Sequence, residues 1–326
     1  MNTAPSLSVV VCAYTLDRWE DLQAAITSVQ SQRRPPDDVV LVVDHCPELH
    51  RLADRLLHGV RVLPNQQHKG LSGARNTGVE AAVGDVVAFL DDDATAHPSW
   101  ADRLLADYRD PRVLGVGGLV VPWWETDRPA WFPLEFDWVV GCSYRGLPEE
   151  RAPIRNFIGA NMSFRTDALR TAGGFRSDLG RVGTRPLGCE ETELCLRISS
   201  RRPDAVLLYD PSAAVRHRVP AARTTWSYFR SRCYAEGLSK ALVARYSDGP
   251  AALSSERAYL TSTIPRAFRE ALRPGRSAPV RTALALALGV GATALGYVVG
   301  SVRARRSTVP VPAGPAYHAP VKGSPA

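Results

Sequence analysis

The sequence predicts an α/β protein, a mostly parallel central sheet flanked by helices, with a separate apolar helix towards the C-terminus. Three observations carry that expectation. Short β-branched runs alternate with segments of helical spacing through the first 110 residues. Those runs are apolar throughout rather than alternating, as in strands covered on both faces. Residues 282–302 form a 21-residue stretch without a charge. With 45 % hydrophobic and 22 % charged residues, the 326-residue chain is neither disordered nor fibrous.

Residues 6–14 (SLSVVVCAY) read as the first buried strand. Leu22, Ala25, Ile26 and Val29 give residues 18–33 a helical face, which Pro35-Pro36 ends. A second strand, 39–43, ends at Asp44. A helix at 51–58, a strand at 60–63 and a glycine-rich turn at 68–73 follow, then a helix from Ala74. The strand 86–90 runs into Asp91-Asp92-Asp93. Beyond residue 110 the pattern is mixed: a glycine-rich strand at 114–121, a Trp-, Pro- and acid-rich loop or flap at 122–150, and a strand at 161–165. A helix from Thr166, a helix at 190–199, a strand at 205–209 and an amphipathic, Arg-rich helix at 222–246 complete it.

The formal charge of +7 is too small to mark a nucleic-acid binder, and no nucleic-acid partner is expected. Its distribution says more: residues 1–200 carry −6 and residues 201–326 carry +13. Only Lys69, Lys240 and Lys322 are lysines, a bias towards Arg that reflects genome composition and warns against treating each Arg as a phosphate ligand. The six cysteines form no C-x-x-C pair, which excludes the common zinc and redox motifs. The N-terminus lacks a basic n-region, so no signal peptide is expected and the folded part is placed in the cytoplasm. At 1.5 Å per residue, residues 282–302 span about 31 Å, close to a hydrocarbon core, and Arg276, Arg281, Arg303, Arg305 and Arg306 flank them. A membrane-associated helix is expected there, against the alternative of an Ala/Gly-rich core helix.

Four features carry chemistry. AFLDDDA sets three carboxylates directly after a buried strand, at the sheet edge where ligands bind. Mg2+ or Mn2+ takes one or two carboxylates there and completes its shell with diphosphate oxygens and water, the alternative being a capped turn. Asp44, also past a strand end, suits a nucleobase imide or ribose hydroxyls. Gly73-Ala74-Arg75-Asn76 lets backbone approach a ligand and offers a guanidinium fork. Glu190-Glu191 begins a helix, as caps or as a general base. Neither a Walker loop nor an early G-x-G-x-x-G is present, which disfavours dinucleotide oxidoreductases.

SVVVCAY, Asp44, GLSGARNTG, FLDDDA, GANMSFR, GGF and CEETELCLR, in this order, resemble the family 2 glycosyltransferases over about residues 6–240. The resemblance implies a GT-A fold, a nucleotide-diphospho-sugar donor (a UDP-sugar first), a divalent cation and an inverting transfer. It places Ala13, Tyr14, Asp44, Gly73, Arg75, Asn76, Asp91 and Asp92 at the nucleotide-sugar. Asp93, Asp91 and His217 fall at the metal. The base is Glu191, with Glu190 the alternative; the family's common Asp is replaced by Glu. WFPLEFDWVVGCSYRGLP and IRNFIGANMSFR are further similar to enzymes acting on polyprenyl- or dolichyl-phosphate-linked sugars, which implies acceptor contacts at Trp138, Arg155 and Asn161. The expected organisation is a catalytic domain at 1–245, with a nucleotide-binding half at 1–110 and an acceptor half at 111–245. A basic linker at 246–281, the membrane helix at 282–302 and a disordered tail at 303–326 follow. The expected role lies in cell-envelope glycan assembly. A non-catalytic nucleotide-sugar-binding module and a metal-dependent phosphohydrolase are the rival readings.

Overall fold

The computed structural model describes residues 5–180, 188–246, 254–273 and 279–306. The expected tail beyond residue 306 lies outside the described residues.

The first half is built as expected. Strands β1 (Leu7–Ala13), β2 (Asp38–Val43), β3 (Arg61–Pro64) and β4 (Val86–Asp91) pair in parallel in the order β3-β2-β1-β4. Helices α1 (Trp19–Gln30), α2 (Pro47–Leu56) and α3 (Leu71–Ala81) make the crossovers. Pro47 opens α2 at a first-turn position where its missing N–H costs nothing, so that helix begins four residues before the expected point. A Cβ on Gly78 would lie 2.4 Å from Val10 Cγ1, so glycine is what lets α3 sit down on β1.

Beyond β4 the sheet is mixed rather than parallel. A short β5 (Ala94–Ala96) and helix α4 (Trp100–Asp107), both absent from the sequence expectation, precede β6 (Val113–Trp124). After the two-residue β7 (Ala152–Pro153), β8 (Asn161–Arg165) inserts antiparallel between β4 and β6. Helices α5 (Thr166–Ala172) and α6 (Glu190–Arg201) lead to β9 (Val206–Val219), which is far longer than residues 205–209. It runs parallel to β6 with a bulge: Gly118 pairs with Asp210, but Val120 pairs with Val215. A Cβ at Gly118 would lie 1.8 Å from Ala213 O, so the bulge needs a glycine opposite it. Past the bulge, β9 pairs antiparallel with β5, placing His217 opposite Ala94.

The Trp-rich segment expected as a flap is packed. Phe132, Phe136, Val139 and Val140 are buried, a 3-10 turn covers Leu134–Val140, and Trp131 stacks on Trp226 at 3.9 Å between ring centroids.

Helix α7 (Trp226–Tyr246) is not amphipathic, because it lies between two partners. One side meets the start of α6, where Gly188 N donates to Ser239 Oγ. The other meets α10 (Pro279–Arg306). The expected linker is largely structured as α8 (Ser254–Ala258), a π turn at Tyr259–Thr263 and α9 (Ile264–Ala271). It is docked on the domain: Tyr259 Oη donates to Glu135 O at 2.8 Å, and Ile264, Ala267 and Ala271 are buried. By length and composition, one described helix, Pro279–Ala304, suffices to cross a membrane.

Candidate active site

Strands β1, β2 and β4 end on one edge of the sheet and bring Ala13, Asp44 and Asp91 together there. Ala13 is buried, and its carbonyl accepts from Asp44 N at 2.7 Å. Asp44 Oδ1 accepts from Asn65 Nδ2 at 2.6 Å and lies 2.9 Å from His45 Nδ1, while Oδ2 accepts from Gly70 N at 2.9 Å. The carboxylate thereby ties β2 to the turn that opens α3. Gly73 belongs to the same construction: a Cβ there would lie 2.0 Å from His68 O. Tyr14 is 45 % exposed, and its hydroxyl accepts from Arg18 Nη2 at 2.8 Å.

The acidic turn after β4 holds three differently placed carboxylates. Asp91 is half-buried, 3.5 Å from Arg75 Nη2. Asp92 Oδ1 accepts from Arg18 Nη1 at 2.6 Å, and its Oδ2 is buried with no hydrogen-bond partner among the described residues. Burial, and next the adjacent Asp93, push Asp92 up to about 7. Burial works in the same direction on Asp93, but the His217, Arg223 and Arg18 cations outweigh it and hold that carboxyl below the usual range. His217 Nε2 lies 3.1 Å from Asp93 Oδ1, and Nδ1 faces Cys142 Sγ at 3.8 Å. Burial alone would lower the imidazole; Asp93 raises it well above its ordinary value. One ligand atom each from Asp91, Asp93 and His217 lies within 4.8 Å of the others, a set that could hold a metal ion. Two carboxylate oxygens suit Mn2+ or Mg2+, the added imidazole nitrogen fits Mn2+ better than the oxygen-selective Mg2+, and three protein ligands leave positions for diphosphate oxygens. A cleft of about 70 Å³ opens beside them, lined also by Arg18, Arg223 and Arg232.

Across the edge, Arg75 is 2 % exposed. Its Nη1 donates to Glu190 Oε1 at 2.8 Å and its Nη2 to Gly159 O at 3.1 Å, with Phe89 and Phe175 against the guanidinium plane. Such a fork needs a counter-ion once buried; Glu190 is hydrogen-bonded to it, and Asp91 lies 3.5 Å from the other arm. Glu191 forms no ion pair among the described residues and stays partly exposed. Burial first, then the neighbouring Glu190, push its carboxyl up to about 8. The two glutamates that the sequence leaves as alternatives are thus in different environments. Asn76 does not face the nucleotide edge with a free amide: its Nδ2 donates to Phe175 O at 2.8 Å, and its Oδ1 accepts from Phe175 N at 2.7 Å. It holds the Gly173-Gly174-Phe175 turn. Of the non-glycine residues described, only His45 and Cys189 have positive φ, 52° and 69°. One follows Asp44 and the other precedes Glu190, so left-handed backbone strain sits at both carboxylates.

The three residues expected at the acceptor are not alike. Asn161 is fully buried. Its Oδ1 accepts from Trp100 Nε1 at 2.8 Å, and its Nδ2 donates to Leu119 O and Ala213 O at 3.0 and 2.8 Å. With every polar atom engaged inside the sheet it cannot reach an acceptor; it pins the β9 bulge that aims His217 at Asp93. Trp138 is half-buried, its Nε1 donating to Tyr259 Oη at 3.4 Å. Arg155 is bound by both carboxylate oxygens of Glu256, which also accepts from Lys240 Nζ at 2.6 Å.

Sequence reasoning missed Arg18, Arg223, Cys142 and Asn65 at this edge. Arg18 and Asp92 are 74 positions apart, and no spacing signals that contact.

The sequence model of a family described as Glycosyl transferase family 2 matches residues 8–173. The chain is also 33 % identical over 302 residues to the glucosyl-dolichyl phosphate glucuronosyltransferase of Haloferax volcanii, covering 90 % of this chain and 96 % of that one. The chain belongs to glycosyl transferase family 2. This glycosyltransferase is 28 % identical over 195 residues to the pre-mycofactocin glycosyltransferase of Mycobacterium tuberculosis, spanning 39 % of that protein. Among solved structures its fold is similar to that of a mannosyltransferase from Pyrobaculum calidifontis in complex with GDP-Man and Mn2+. The TM-score is 0.59 at 18 % identity, with 93 % of this chain and 87 % of that chain covered. It is also similar to GalNAc-T7 with UDP, GalNAc and Mn2+, with a TM-score of 0.52 and 18 % identity, over 80 % of this chain and 55 % of that chain. The expected GT-A fold is thereby shown, and family membership removes the phosphohydrolase reading.

Proposed function

We infer that this glycosyltransferase moves a sugar from a nucleotide-diphospho-sugar, a UDP-sugar first among them, to a hydroxyl of a polyprenyl-phosphate-linked sugar, with inversion at the anomeric carbon. The observation that carries the reading is the convergence of Asp91, Asp93 and His217 at the strand edge that also holds Asp44. The near-full-length similarity to an enzyme named for a glucosyl-dolichyl phosphate acceptor supports the acceptor class.

Each residue then has a task that its surroundings fit. Asp44, held by Asn65 and Gly70, receives the nucleobase beside Ala13 and Tyr14. Asp91, Asp93 and His217 hold a divalent cation, Mn2+ or Mg2+, which supplies charge neutralisation for the departing diphosphate. Arg18, Arg223 and Arg232 line the same cleft and add positive charge to it. Glu191 takes the proton of the attacking hydroxyl as that oxygen bonds the anomeric carbon and the nucleoside diphosphate leaves. A carboxyl pushed up to about 8 is a stronger base than an ordinary glutamate when ionised. Glu190, paired with Arg75, positions rather than reacts. Trp138 and Arg155 lie on the acceptor side. The catalytic domain works at the cytoplasmic face of a membrane, in cell-envelope glycan assembly.

The test is transfer itself. Purified enzyme, Mn2+, a panel of UDP-, GDP- and dTDP-sugars and a glucosyl polyprenyl phosphate are incubated, and the lipid product is read by mass spectrometry. A mass gain of one sugar from a single donor class supports the reading. Transfer only to water-soluble acceptors overturns the lipid-linked acceptor.

A further inference from the structure

Helix α10 has one face packed on the domain and one face open. It runs parallel to α7 at backbone contact distance over its second half. A Cβ on Gly296 would lie 2.0 Å from Tyr234 O, one on Gly237 2.1 Å from Thr293 O, and one on Gly300 2.8 Å from Ala241 Cβ. Arg245 Nη1 donates to Ala304 O at 3.0 Å at the far end. At the near end, a Cβ on Gly289 would lie 2.3 Å from the Phe136 ring, and Ala285 and Leu286 are fully buried. Close small-residue contacts of this kind lock two helices in one relative orientation. Helix α7 carries Arg232, Glu236 and Lys240, with Lys240 Nζ 3.1 Å from Glu236, and it abuts the start of α6 through Ser239 and Cys189. An upright α10 would carry those charges and the Glu191 helix into hydrocarbon, which is strongly unfavourable.

The opposite face of α10 is open. Val280, Leu284, Leu288, Leu295, Val298 and Val302 are all exposed at helical spacing, an apolar stripe along the whole length. Leu260 and Leu272, on the π turn and after α9, are exposed as well. Arg281 and Arg303 are exposed and fall roughly 60° and 100° round from the middle of the stripe, at its margin, where long basic side chains reach a headgroup layer. Arg257, Arg266, Arg269 and Arg273 are exposed on the neighbouring segment. Within the described parts of 254–306 the only carboxylates are Glu256 and Glu270, both ion-paired and neither fully exposed.

We propose that α10 lies flat in the interface of an anionic bilayer, its Val280–Val302 stripe in the acyl boundary and its arginines on the headgroups. The glycine contacts to α7 fix the enzyme's height and tilt above the membrane. An apolar stripe with basic flanks and no acid is the chemistry of an in-plane helix. The inference rests on the lipid-linked acceptor reading for its purpose, because α7 packs on both α10 and the Glu191 helix, but not for its geometry.

The experiment uses the full chain with vesicles of equimolar phosphatidylglycerol and phosphatidylcholine. A single environment-sensitive fluorescent amino acid replaces Leu284, Leu295 or Val302 in turn, and lipids brominated at known depths quench it. Equal, shallow depths at all three positions are expected. A Leu295 position much deeper than the other two shows a span and overturns the proposal, as does absence of quenching. Burial of the stripe in a dimer, read by light scattering together with weak vesicle binding, also overturns it. Leu288→Glu with Leu295→Glu is expected to weaken vesicle co-sedimentation roughly tenfold or more. Thermal stabilisation by Mn2+ and UDP, measured on the same samples, reports folding and donor binding apart from the membrane. Its loss in the parent enzyme would count against the catalytic reading alone.

Discussion

Arg75 Nη1 donates to Glu190 Oε1 at 2.8 Å across 115 positions of sequence, and this buried pair separates the roles of two adjacent glutamates. Glu190 is the hydrogen-bonded counter-ion of a guanidinium enclosed by Gly159, Phe89 and Phe175, with Asp91 3.5 Å from its other arm. Glu191, one residue on, is left with a perturbed carboxyl and no cation of its own among the described residues. Glu191→Gln is therefore expected to keep donor affinity and melting temperature while kcat falls by about 10²–10⁴. Glu190→Gln should instead lower the melting temperature and raise the donor KM, with kcat within about tenfold, because it weakens a buried pair whose disruption costs about 3–5 kcal/mol at most. Steady-state kinetics and thermal melts on both variants decide it. A dead, well-folded Glu190→Gln with an active Glu191→Gln would reverse the assignment.

The raised Glu191 carboxyl gives a pH dependence of defined sign. The base form is the carboxylate, so kcat/KM should climb with pH and level off above about 8, well beyond the range of an ordinary glutamate. Stability runs the other way. The folded state prefers neutral Glu191, so its contribution is full below 4.5, the ordinary glutamate value, and is lost as pH rises through about 8. Melting temperatures of the parent and Glu191→Gln should diverge across that window in favour of the variant. Parallel curves would place the perturbed group elsewhere.

Asp93→Ala and His217→Ala each remove one member of the proposed metal set. Thermal stabilisation by Mn2+ plus UDP should fall by about a hundredfold in apparent affinity for either variant, and chelation should abolish transfer by the parent enzyme. Cys142→Ala, which takes only the sulfur facing His217 Nδ1, should give a smaller loss, about tenfold. Titration calorimetry with Mn2+ in the presence of UDP measures all three. Unchanged Mn2+ affinity in Asp93→Ala would remove Asp93 from the set.

Asn161 tests the distinction between contacting a substrate and positioning a site. Asn161→Ala strands Trp100 Nε1 and the carbonyls of Leu119 and Ala213 inside the sheet, a cost of about 2–4 kcal/mol. Urea unfolding should show that loss. Metal-dependent donor binding should weaken with it, since the β9 bulge orients His217, whereas the acceptor KM should not change selectively. A stable Asn161→Ala variant with only its acceptor KM raised would return Asn161 to the acceptor.

The sequence by itself determined the parallel half of the sheet, the carboxylates at its edge and the apolar C-terminal helix. These are local properties: β-branched runs bury on both faces, and a carboxylate directly after such a run must emerge at the strand end. The edge that Asp44 and Asp91 share follows from parallel pairing alone. Tertiary structure decided what depends on partners far along the chain. The bulge that turns His217 toward Asp93 depends on Gly118 and Asn161, on two other strands. The burial of Asn161, the pairing of Arg75 with Glu190 and the enclosure of the Trp-rich segment follow from packing across the sheet. So does the face of α10 left open, because glycines at 289, 296 and 300 read as mere flexibility until Phe136, Tyr234 and Leu238 are seen against them. Periodicity reports which residues share a face; only the folded chain shows what covers that face.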